Sequence, residues 1–150
     1  MLRFEKRWAE AVLSGFAPAG NPGLAPAPGE VDYAAAMEHI LRVAGPRAGL
    51  GFRAALWMAA LAPAWSWRRP VTAVALSPGE RARLLDELLT HRSFVPRELS
   101  LMLKVAASMA MMATPSVRAR SGYDAPMVQA DDLTRSGERV RLPLAMDEVA

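Results

Sequence analysis

Cysteine is absent from the 150 residues, which excludes disulfide staples, thiolate catalysis and cysteine-held metal. Histidine occurs twice, at His39 and His91, too few to build a zinc site unaided. Aromatic residues are modest, and β-branched residues are few beside abundant alanine, leucine and methionine, a balance that favours helix over sheet. No uninterrupted stretch reaches the roughly 20 apolar residues a membrane span needs. Residues 54–67 are interrupted by Pro63 and preceded by Arg53, and residues 105–113 are bounded by Lys104, so both read as core helices. Also missing are GxGxxG, Walker, HExxH and GxSxG patterns. Asp131-Asp132 is a carboxylate pair, but neighbouring residues seldom converge on one substrate atom. Met102, Met109, Met111 and Met112 lack companion ligands and read as adaptable packing. No set of residues makes an active site.

The formal charge is +3 and uneven: residues 125–150 hold three arginines against five acids, a net −2, which leaves +5 on the body. The arginines are scattered rather than interleaved with aromatics, so a nucleic-acid surface is not expected. The opening MLRFEKRWAEAVLSGF is charged within its first seven residues and lacks the apolar run of a signal peptide.

What is present is helical. Residues 97–113 carry charge only at Arg97, Glu98 and Lys104, and a helix this apolar is expected to be buried on most sides as the centre of the fold. Thr114-Pro115 ends it. Phe4, Trp8, Val12 and Phe16 recur every four residues and predict an amphipathic first helix, with Glu5 on its polar side. Residues 17–30, APAGNPGLAPAPGE, read as a long Pro/Gly-rich loop. Asp32 caps a predicted helix over 33–43 with Ala36, Met37, Ile40 and Leu41 inward. Another runs over 47–61 and carries Leu50, Ala54, Trp57, Met58 and Leu61 at helical spacing, ended by Pro63. A connector with Trp65 and Trp67 follows. Ser77-Pro78-Gly79-Glu80 is a capping box opening a helix to about residue 91, whose inner face is Leu84, Leu85, Leu88 and Leu89. After Asp124 the periodicity lapses. Two parts are therefore expected: an all-α body of about five helices in residues 1–124, and an extended tail in 125–150 with a short strand near 138–142.

FEKRWAEAVL, LSPGERARLLDELL and RELSLMLKVAASMAMMATPSVRARSGYDAP together resemble the small-subunit family of gluconate 2-dehydrogenase (subunit 3-like). They are equally similar to the helical region preceding the flavin domain in long-chain alcohol oxidases and other glucose-methanol-choline (GMC) oxidoreductases. The shared pattern is a capped Leu/Arg-rich helix at 77–89, an arginine-initiated apolar helix at 97–113, Pro115-Ser116-Val117, and Gly122-Tyr123-Asp124. The segment 142–150 is similar to the linker that enters the first FAD-binding strand in fused members.

The resemblance implies a non-catalytic accessory subunit, with no cofactor or metal of its own, bound to a larger flavoprotein that holds FAD and oxidises an alcohol or sugar. Exported members carry a twin-arginine leader that this chain does not show, so a cytoplasmic complex is the expectation. The candidate partner-binding residues are Trp65, Trp67, Arg120, Gly122, Tyr123, Met127, Leu142 and Leu144. Two other readings stay open: a free-standing regulatory or hydrophobic-ligand domain with Trp57, Trp65 and Trp67 around a pocket, and a peripheral membrane protein using residues 65–69.

Overall fold

A computed structural model describes residues 1–18 and 24–122, and its elements are all helical. In chain order they are α1 (Arg3–Ser14), α2 (Tyr33–Val43), α3 (Pro46–Ser66), a single 3-10 turn (Ala73–Ala75), α4 (Pro78–Leu89), α5 (Phe94–Ala113) and α6 (Pro115–Ser121). The proposed tail and its strand lie outside the described residues.

Local chemistry starts and stops these helices. The Asp32 carboxylate accepts the Ala35 N–H at 2.7 Å and opens α2. At α4 the capping box is complete: Ser77 Oγ accepts the Glu80 N–H at 3.4 Å, and Glu80 Oε2 accepts the Ser77 N–H at 3.0 Å. Thr114-Pro115 breaks α5, and α6 leaves at 91° to it. Gly122 closes α6 in the left-handed region at φ 69°, a conformation glycine adopts without Cβ strain.

α5 is the centre of the bundle, packing against α1, α2, α3, α4 and α6. Its most extensive neighbour is α3, and most of the residues the two helices bury are alanine. α3 buries Ala55, Leu56, Ala59, Ala60, Ala62 and Pro63; α5 buries Ser100, Leu103, Ala106, Ala107, Ala110 and Met111. Small side chains let helix axes approach closely, which improves contact along the whole interface. Leu84, Leu85 and Leu88 of α4 and Val12 and Leu13 of α1 complete the core.

Three expectations are corrected. First, α3 does not stop before Pro63 but runs through it to Ser66. Proline forfeits the N–H that would bond the Ala59 carbonyl and its ring crowds that carbonyl, and the helix ends within one turn of it. Its carbonyl then accepts both the Trp67 and Arg69 N–H groups, at 3.2 and 3.0 Å, around Arg68 held at φ 53°. Second, the large apolar face of α3 points outward: Leu50 is 70% exposed, Trp57 40% and Leu61 38%. A helix apolar all round gives periodicity little to choose between, and the alanine face wins because it permits the closer approach. Third, Glu5 is buried rather than solvated, accepting from the Leu2 N–H at 2.7 Å and from the Trp57 indole at 3.1 Å.

Candidate interaction surface

The same preference for small residues leaves α5 with an outer apolar stripe. Leu101, Val105 and Met109 succeed one another at i, i+4, i+8, so they share one face, and all three are exposed, Met109 by 61%. Phe94 and Val95 extend this apolar surface at the helix N-terminus and are also exposed. Phe52 of α3, with Phe94, Leu101, Met102 and Val105, lines an open groove of about 380 Å³ in which Glu98 is the one charged member. Lys104 and Arg97 flank the stripe on one side, at neighbouring positions around the helix. Scattered exposed hydrophobics need no explanation, whereas a row of them along one face of the central helix is the kind of patch that calls for one. The outer face of α3 is partly covered already: Phe4, Trp8 and Trp57 meet edge to face, with ring centroids 5.0–5.6 Å apart.

Of the residues expected to bind a partner, the structure describes Trp65, Trp67, Arg120 and Gly122. Trp65 is on the last turn of α3, exposed, with its ring edge against His91 at 5.8 Å. Trp67 lies beyond that helix and donates its indole N–H to Glu87 Oε2 at 2.7 Å, while the guanidinium groups of Arg69 and Arg83 lie over its ring at 5.9 and 5.8 Å. With Glu80, these two arginines and Trp67 line a polar recess of about 330 Å³. Trp57 belongs to the aromatic cluster on α1. The three tryptophans thus have different neighbours and do not line one pocket.

Arg120 is engaged within the chain. It forms a bidentate pair with Glu30, at 2.6 and 2.8 Å, and Ser116 Oγ donates to the same carboxylate at 2.6 Å. These donors hold the Glu30 carboxyl down at about 2, against an ordinary 4.5. The Pro/Gly-rich loop is therefore pinned to α6 at its C-terminal end. Replacing Arg120 with alanine should raise protease sensitivity and amide exchange over residues 24–31 while leaving exchange in α5 unchanged; unchanged exchange in the loop would show that the pair holds nothing. Gly122 ends α6, and Tyr123, Met127, Leu142 and Leu144 lie outside the described residues.

Among the described residues, no group of three His, Cys, Asp or Glu is placed to hold a metal. His91 Nδ1 accepts the Ser93 N–H at 3.0 Å, an ordinary turn contact beyond the end of α4. Of the four methionines singled out, Met111 is buried and Met109 exposed, so they do not converge on one point. No single described helix is long and apolar enough to cross a membrane; α5 and α6 pass that test only jointly, across their 91° bend.

The α5 stripe is marked less by how apolar the helix is than by how its side chains are sized around it. The signal was available. Ala106, Ala107 and Ala110 form a small face suited to close packing, and Leu101, Val105 and Met109 stand opposite. Comparison with known proteins adds nothing to this geometry: no family model, no curated protein and no solved structure matches the chain.

Proposed function

We propose that this chain is a non-catalytic accessory subunit that binds and stabilises a larger FAD-dependent oxidoreductase of the GMC type. The observation that carries the subunit role is the outer stripe of α5: Leu101, Val105 and Met109 are exposed along the helix that organises the fold. Obligate interfaces resemble a domain core cut in half, and such a stripe is half of one. The flavoprotein, and with it the alcohol or sugar substrate and the cytoplasmic complex, comes from the resemblance carried by residues 77–89, 97–113, 115–117 and 122–124. FAD would belong to the partner; this chain would cover apolar surface on it.

Two aspartates introduced together, Val105→Asp and Met109→Asp, are expected to leave the helical fold intact, because both side chains already face water. They should abolish co-purification of the flavoprotein, since hot-spot losses of about 2 kcal/mol or more each weaken binding at least 30-fold. The test is a tagged pull-down from the native source, with an absorbance spectrum of the eluate. A flavin band in the parent eluate that vanishes in the variant supports the reading. A colourless single-chain eluate from the parent overturns it.

The groove bounded by Phe52, Phe94 and Met102 favours one alternative, a free-standing domain that takes up a hydrophobic ligand. Saturable binding of a fatty-acid probe by monomeric protein, weakened by Phe52→Gln, would select that alternative.

A further inference from the structure

One end of the bundle combines exposed aromatic and aliphatic side chains with unneutralised arginine. The last turn of α3 meets the loop between α4 and α5 there, as the contact of Trp65 on His91 shows. Trp65, Phe94 and Val95 are 45%, 66% and 61% exposed at this end. Arg68 follows Trp65 by three residues, Arg92 precedes Phe94 by two and Arg97 stands on the first turn of α5, while Arg69 and Arg83 lie farther off, over Trp67. Arg69 is paired with Glu80, Arg83 with Glu87 and Arg97 with Glu98, whereas Arg68 and Arg92 meet no carboxylate among the described residues. Arg97 also lies over the Phe94 ring at 5.8 Å.

Helix dipoles account for part of the charge, since Arg68 follows the C-terminus of α3 and Arg92 that of α4. They do not account for a tryptophan, a phenylalanine and a valine left in water beside them. Arg68 is also the one described non-glycine residue with positive φ, so the chain accepts strain at a position where glycine would fit without it.

We propose that this end of the molecule binds an anionic phospholipid surface. Trp65, Phe94 and Val95 would enter the boundary between headgroups and acyl chains, where tryptophan and phenylalanine are favoured. The arginines stay at headgroup level, their stems along the aromatics and their guanidinium groups on phosphate and carboxylate. The charge complementarity favours lipid over an apolar protein groove: two arginines with no carboxylate partner flank side chains carried on helix ends and a connecting loop. The stripe of Leu101, Val105 and Met109 lies further along α5 and remains available to the flavoprotein.

The test uses the whole chain with vesicles of phosphatidylcholine alone or mixed equally with phosphatidylserine, read by co-sedimentation and tryptophan emission. Binding is expected only with phosphatidylserine, with a blue shift of the emission, and is lost at high salt because exposed charges are screened. Arg68→Gly with Arg92→Gln should weaken it roughly 25-fold, at about fivefold per arginine near an anionic surface. That pair cannot fail by misfolding, since Arg92 is exposed and glycine relieves the strain at residue 68. Trp65→Ala with Phe94→Ala should remove the blue shift. Equal binding to both vesicle types, no binding to either, or unaltered binding by the arginine pair would overturn the proposal. Loss of the flavoprotein by the arginine pair, with vesicles ignored, would assign this end to a protein interface instead.

Discussion

Enlarging Ala59 to leucine is expected to lower the unfolding free energy by about 2–3 kcal/mol, the upper part of the usual range for overpacking a core. The substitution raises apolarity and helix propensity hardly differs between the two residues, so on composition alone it should be harmless. Its cost comes from position. Ala59 is fully buried on the alanine face of α3, the helix whose most extensive neighbour is α5. Three added carbons there push against a face built mostly of alanine, where few side chains can rearrange to make room. Two residues further on, Leu61→Gln should change stability by no more than about 0.5 kcal/mol, because Leu61 already faces outward. Denaturant unfolding of the two variants gives the comparison. Equal effects would mean that the alanine face is not the one that packs.

That contrast also shows where the sequence was legible. In α4 charge marks the solvent side and the inner face was legible: the helix buries Leu84, Leu85 and Leu88, with Arg83 and Asp86 outside. Caps were legible for the same local reason, a side-chain oxygen within one turn of an orphan N–H, as at Asp32 and Ser77. The central place of residues 97–113 was legible from their length and apolarity. Orientation was not. α3 is apolar on nearly every side, so hydrophobicity carries little angular information there and packing distance decides; in α5 the outer face is marked by Arg97 and Lys104 and by side-chain size rather than by apolarity. For α3 the decision rests on a second helix brought across from elsewhere in the chain, which no single-segment pattern records. The pairing of Arg120 with Glu30 is invisible for the same reason: the partners are 90 residues apart.

Glu5 is where a long-range contact overturned a local reading, and it predicts the second large effect. The periodicity of α1 placed it with Arg3, Lys6 and Glu10 in solvent. Instead Trp57, brought across from α3, covers it and supplies an indole N–H, while Arg53 Nε stands 3.8 Å away. Burial pushes the carboxyl up, but the Leu2 N–H, the Trp57 indole and the Arg53 charge outweigh it, and the net displacement is below 4.5. Glu5→Ala orphans both donors and opens the aromatic cluster of Phe4, Trp8 and Trp57, so a loss of about 2–3 kcal/mol is expected. Glu5→Gln can accept only one of the two N–H groups and should cost about half as much. A carboxyl depressed in the folded state stabilises it above the unfolded value near 4.5 and ceases to do so as pH falls through the folded value. Glu30 and Glu80, both held at about 2, act in the same direction. Glu10 acts against them, because burial and the nearby Asp32 raise its carboxyl. The parent should therefore lose stability as pH falls from 4.5 towards 2, and Glu5→Gln should lose less across that interval. Parallel pH profiles for the two proteins would mean that Glu5 is not held as a carboxylate beneath Trp57.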